Sequence, residues 1–171
     1  WPEQSYDFES QVDFPRMDDI FFADQDWDLA GEGRFTGRFS LFKGGHDLAG
    51  TFRSDVLGWN RYEFPDLEGA LRWTPREFDV TEARARFFGG EGRFAYSIRP
   101  LGQPTGSTSR FEAAYEGASL AAFSDFQQWP GLRFDGTWSG RNVLEWPTGR
   151  FVERYAEGTA TVVPPEGVRV L

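Results

Sequence analysis

Carboxylates are the most abundant groups in this chain that could do chemistry: 27 Asp and Glu stand against 18 Lys and Arg, for a net charge of −9. Two of them meeting across neighbouring strands could act as acid and base on a glycosidic bond. No spacing marks out such a pair, and exposed carboxylates mostly just solvate a surface. The densest group, Asp7, Glu9, Asp13, Asp18, Asp19, Asp24, Asp26 and Asp28, lacks the ordered Asp/Asn positions and glycine of a calcium loop. It reads as a solvated face with turns. His46 is the single histidine; it has no acid, serine or cysteine partner in an ordered motif and reads as an exposed residue flanking a turn. Cysteine is absent, which excludes disulfides, thiol catalysis and Cys-ligated metals. G-x-S-x-G and H-E-x-x-H are missing, and Gly31-Glu32-Gly33 opens no helix that could hold a phosphate. The acidic balance is the wrong sign for a nucleic-acid partner. Neither a catalytic residue nor a cofactor is expected.

The elements that carry these side chains are strands. Twenty Gly and ten Pro punctuate the chain, and 18 Phe and 7 Trp supply apolar surface, a composition that fits an all-β domain with many turns. The region Ala83–Ile98 shows the pattern best. With a turn at Gly90-Glu91, Phe87 faces Phe94, Ala85 faces Tyr96 and Ala83 faces Ile98, all on one side because strand side chains alternate with period 2. Arg84, Arg86, Arg93, Ser97 and Arg99 fall on the other side. A turn at Gly89-Gly90 keeps these faces but sets Arg86 against Arg93, a like-charge pair. A second hairpin spans Glu32 to Ser54: a Gly44-Gly45 turn pairs Leu41 with Leu48, Phe39 with Gly50 and Gly37 with Phe52, with Phe35 on the same face. Each ring then meets a glycine.

Further strands are read at Leu67–Trp73 (apolar at Leu71 and Trp73), from Glu77, around Phe111 and Tyr115, over Leu132–Gly140 (apolar at Phe134 and Trp138), and at Arg154–Val163. Phe8–Phe14 alternates loosely, and Asp13–Ala23 is open between a loop and a short helix. Asp55–Asp66 is read as a connection and Pro100–Ser109 as a loop. Ser119–Gln128 breaks the rhythm with Leu120, Phe123 and Gln127 at helical spacing, Ser119 as N-cap and Trp129-Pro130-Gly131 as the stop. Units at Gly31–Arg53, Leu67–Ile98 and Leu132–Val163 repeat one theme, a strand, glycine punctuation and a returning strand. We expect residues 1–171 to form a single segment, an acidic lead-in over 1–30 and a hairpin array over 31–163, cut from a longer protein. No apolar run approaches the roughly 20 residues of a membrane span.

The apolar face allows two packings. It can be the core of a sandwich, the common fate of such a face, or the lining of an open groove that binds hydrocarbon. The phrase Asp79–Phe94, with Phe87-Phe88-Gly89-Gly90 at its centre, resembles the recurring strand, aromatic-Gly-Gly, strand phrase of AsmA-like and TamB-like bacterial envelope proteins. Leu67–Trp73 and Phe42–Leu48 resemble neighbouring phrases of that kind, and the rhythm extends over residues 30 to 163. The resemblance implies an antiparallel sheet curled into a taco-shaped groove, in a periplasmic segment of an inner-membrane-anchored parent. Its ligands would be phospholipid acyl chains and its partners outer-membrane assembly proteins. The groove would be lined by Phe35, Phe39, Leu41, Leu48, Phe52, Leu71, Trp73, Phe87, Phe94, Tyr96, Ile98, Phe111, Tyr115, Phe134 and Trp138, with the helix near Phe123 an interruption. The alternative from another class is an extracellular carbohydrate-binding or glycan-cleaving β-sandwich.

Overall fold

The computed structural model describes residues 3–21, 27–102 and 106–167. Asp24 and Asp26 of the acidic lead-in and residues 103–105 of the expected loop lie outside the described residues. The rest is an all-β antiparallel sheet of ten strands that curls on itself, with two short helices.

The strands are β1 (Gln4–Asp13), β2 (Leu29–Ala30), β3 (Glu32–Phe42), β4 (Gly45–Trp59), β5 (Tyr62–Trp73), β6 (Phe78–Phe87), β7 (Gly90–Arg99), β8 (Thr108–Ser119), β9 (Thr137–Pro147) and β10 (Tyr155–Val163). They lie side by side in the order β1-β3-β4-β5-β6-β7-β8-β9-β10, with β2 added to the far end of β4. From β3 onward each strand pairs with the next in sequence, the hairpin array expected from the repeated theme.

Helix α1 (Phe14–Phe21) follows β1 directly. Asp13 starts it by accepting a hydrogen bond from the Arg16 N–H at 3.0 Å, and Pro15 sits in the first turn, where a missing N–H costs nothing. Helix α2 (Leu120–Gln127) is the one the spacing predicted. The Ser119 hydroxyl accepts from the Ala122 N–H, and Gln128 closes the helix in the left-handed conformation.

Both glycine hairpins turn earlier than their sequences suggest. Phe87 pairs with Gly90, Ala85 with Gly92 and Ala83 with Phe94, so the turn residues are Phe88 and Gly89, both at positive φ. That is the conformation a two-residue hairpin prefers. Gly90 is instead the first strand residue, and a Cβ there would meet Ala118 N of β8 at 2.6 Å. A bulge between Val80 and Ala83 then brings Val80 opposite Tyr96 and Phe78 opposite Ile98. In the other hairpin Phe35 pairs with Phe52, Gly37 with Gly50, Phe39 with Leu48 and Leu41 with His46. The slips preserve the faces because each pairing keeps its side-chain parity.

The registers do set like charges opposite: Arg84 faces Arg93 and Arg34 faces Arg53. Carboxylates neutralise all four on the outer face. Glu9 takes Arg34 at 3.2 Å, Glu68 takes both Arg53 and Arg84, and Glu91 takes Arg93 at 3.1 Å. Such exposed pairs are each worth about 0–1 kcal/mol, so they mark the wet face more than they hold the sheet together.

Glycine shapes the inner face. Gly37 and Gly50 lie opposite each other and the Phe35 ring lies across both; a Cβ on Gly50 would meet Phe35 Cζ and Gly37 Cα, each at 2.6 Å. Gly50→Ala should therefore destabilise the protein by about 1–3 kcal/mol, the usual cost of overpacking. Thr51→Ala, one residue along on the exposed face, should stay within about 0.5 kcal/mol. Urea denaturation of the two variants checks this, and equal midpoints would contradict it.

Candidate functional site

Cross-strand pairs place the inner-face side chains in rows that run across the whole sheet. One row reads Tyr6, Phe39, Leu48, Trp73, Phe78, Ile98, Ser109, Trp146 from β1 to β9. The next reads Phe8, Gly37, Gly50, Leu71, Val80, Tyr96, Phe111, Leu144. Exposure falls along the first row: Tyr6 is 54% exposed, the residues from Phe39 to Phe78 are half-buried, and Ile98 and Trp146 are 6% and 3% exposed. Among the described residues the β1 end of this continuous apolar face is its open half and the β7–β9 end, nearest Ile98 and Trp146, its closed half.

The closed half is covered by an arm of the same sheet. Residues 62–67 of β5 pair only with β4, because the β5–β6 ladder stops at Glu68 and Arg84. Beyond that point the two strands form a free ribbon, Val56–Trp59 against Tyr62–Pro65, and β2 pairs with β4 at its tip. The arm leans across the inner face. Phe64 stacks on Phe87 at 5.6 Å and meets Phe94 edge-on at 5.3 Å, while Trp59 reaches Phe111 at 6.4 Å. Its tip is fastened at both sides. Asn60 exchanges hydrogen bonds with Asp28, and Arg61 donates to the Phe126 carbonyl of α2 at 2.9 Å while lying over the Phe126 ring. Phe14 of α1, Leu29, Leu57 and Trp59 then join Ile98 and Tyr96 in one cluster; Phe64, Leu67, Ala85 and Phe87 centre the other.

The fifteen residues expected to line a groove accordingly divide. Phe52, Phe87, Phe94, Tyr96, Ile98, Tyr115 and Trp138 belong to the two clusters under the arm, and Phe111 packs on Trp59 and Phe94 beside them. Phe35 is buried on the glycine pair. Phe39, Leu41, Leu48, Leu71 and Trp73 are half-buried and lie outside both clusters. Phe134 is on no strand: β9 begins only at Thr137, and Phe134 sits 47% exposed in the loop after α2, against Trp129. The alternation at Leu132 is a loop held to α2 by the buried Ser124 hydroxyl, which accepts from the Phe134 N–H.

The open half is a shelf on β1, β3, β4 and β5. Phe39, Leu48 and Trp73 form its middle row, Leu41 and His46 one side, Leu71 the other, and Tyr6 and Phe8 its outer edge. His46 is not the exposed turn residue its position suggests. It is half-buried, its ring packs edge-on against Trp73 at 4.6 Å and beside Phe39 at 6.0 Å, and its Nε2 is buried with no hydrogen-bond partner among the described residues. Tyr6 and Phe8 are shelf residues that the sequence reading missed. Their signal was the alternation with Asp7 and Glu9, which pair outward with Arg38 and Arg34.

Among the described residues no three His, Asp or Glu side chains converge as a metal site, and no helix is long and apolar enough to cross a membrane. No family model, curated protein or solved structure matches the chain. The site is therefore read from its own geometry.

Burial in the closed half pushes the Tyr96 and Tyr115 phenols up to about 12. A hydrogen bond to Ser109 opposes this at Tyr96; at Tyr115 the nearby Tyr62 adds to it and Asn142 opposes it. In the unfolded chain these phenols lose their protons near pH ~10. Their contribution is thus fully present below about pH 10 and lost as pH rises towards 12. Tyr115→Phe should lose less stability than wild type between about pH 9 and 11.5, by on the order of 1 kcal/mol. Urea midpoints at the two pH values measure this; equal losses would mean that Tyr115 is not buried as described.

Proposed function

We propose that this chain is a non-enzymatic hydrocarbon-binding segment whose open shelf holds acyl chains. The observation that carries the reading is the row Tyr6–Phe39–Leu48, an apolar strip continuous with the core in which Tyr6 is exposed and Phe39 and Leu48 are half-buried and outside both clusters under the arm. Large exposed apolar patches with a polar surround are the surfaces proteins use for binding. Here the outer face of the same strands carries the ion pairs Asp7–Arg38 and Asp47–Arg72. On the resemblance to AsmA-like and TamB-like proteins, the ligand class would be phospholipid in a bacterial cell envelope, with outer-membrane assembly proteins as partners.

The geometry limits the affinity. Removing a dozen methylenes from water is worth about 0.8 kcal/mol each, roughly 10 kcal/mol when fully enclosed. A shelf covers one side of a chain, so about half of that is gained, corresponding to a dissociation constant of about 0.2 mM before the cost of ordering the chain. Weak, exchangeable binding suits passing a lipid on rather than storing it.

The test is titration of the delipidated protein with a fluorescent long-chain fatty acid. Wild type should bind, and Leu48→Asp should bind at least about tenfold more weakly, since a carboxylate placed in an apolar contact must be desolvated. Thr51→Asp, on the outer face, should bind as wild type does. Absence of binding, or equal affinity for all three proteins, would sink the proposal; affinity for an oligosaccharide instead would favour the glycan-binding alternative.

A further inference from the structure

The two edges of the sheet are built differently. Sheet edges carry unpaired backbone groups and are normally guarded by charge, proline, bulges or shortness. β1 has Asp7, Glu9 and Asp13 in ten residues. β10 is guarded far less: its nine residues hold one charge, Glu157, and no proline, and pair with β9 in unbroken register. All nine are exposed, with Tyr155, Val162 and Val163 each more than half so. Among the described residues nothing pairs with the outer side of β10.

We propose that β10 is a self-association edge that pairs antiparallel with β10 of a second copy about a two-fold axis at Thr159. In this register Tyr155 lies opposite the partner's Val163, Glu157 opposite the partner's Thr161, and Thr159 opposite its own equivalent. Every charge meets a neutral residue, and Thr–Thr and aromatic–β-branched pairs are favourable cross-strand neighbours. Parity is kept as well. Ala156, Gly158, Ala160 and Val162, which extend the inner apolar rows beyond Leu144, Asn142, Gly140 and Trp138, meet the same four residues in reverse, so both inner faces lie on one side of a continuous sheet. Moving the axis to Glu157 would set two carboxylates against each other. Pairing β1 with β1 would gather Asp7, Glu9 and Asp13 of both copies on one ladder. A β10-to-β1 contact would not close, whereas the two-fold contact consumes both β10 edges and stops at a dimer.

Sedimentation velocity across the micromolar range tests the pairing. Wild type should move with rising concentration from the 19.5 kDa monomer to twice that mass. Thr159→Glu sets a carboxylate opposite Arg141 within its own chain and opposite its copy across the axis, so it should stay folded by circular dichroism and monomeric. Thr159→Lys should also be monomeric, and an equimolar mixture of the two variants should recover the dimer. Ser10→Glu, on β1, should dimerise as wild type does. A wild type that remains monomeric, a dimer indifferent to Thr159→Glu, or a mixture that does not pair would each overturn the proposal, as would a monomer that accepts only a strand of a different polypeptide.

Discussion

The packing of the β4–β5 arm against β6, β7 and β8 is the contact on which the rest of the molecule depends. A single sheet has one apolar face and nothing of its own to cover it. Here Phe64 lies on Phe87 and Phe94, and Trp59 reaches Phe111, so the sheet supplies its own second layer by detaching one hairpin from its neighbour. Detachment happens where the β5–β6 ladder ends at Glu68 and Arg84. A two-stranded ribbon twists more strongly than a wide sheet, which lets this one turn across the face. Asn60 and Arg61 then fix its tip to Asp28 and to α2.

That contact also decides which part of the face is left for the proposed ligand. The arm is too narrow to cover nine inner-face strands, and it spends its rings on the side of β6–β9. Among the described residues the shelf at Phe39 and Leu48 is what remains. On the proposed reading core and binding surface are not alternatives for this face, since the same rows form the core on β7–β9 and would take the ligand on β1–β5. The outer-face ion pairs add little energy, but they keep the arginines wet and so preserve the sidedness that both halves need.

Face assignment was legible in the sequence because period-2 alternation survives a slip in register: Phe87, Phe94, Tyr96 and Ile98 do share a face. Pairing was less legible. The register follows positive φ at Phe88 and Gly89 and the close approach of β8 to Gly90, and neither is visible in a run of glycines; the Arg84–Arg93 pair shows that local charge repulsion yields when a third strand brings Glu68. Asp55 to Asp66 reads as a connection because Phe64-Pro65 ends it, although Leu57 and Trp59 before Asn60-Arg61, and Tyr62 and Phe64 after it, carry the alternation of the two arm strands. The α2 helix was legible from Ser119 and the Leu120–Phe123 spacing, which are local signals. His46 was misplaced because its burial comes from Trp73, two strand residues across the ladder and far along the chain.

The central claim is that one apolar face is open on β3–β5 and closed on β6–β9. Photolabelling with a diazirine-bearing fatty acid, read out by peptide mass spectrometry, tests it directly. The account predicts label on the peptides that carry Phe39 and Leu48 and none on those that carry Phe94 and Tyr115; equal labelling of both sets, or label confined to the second, would contradict it.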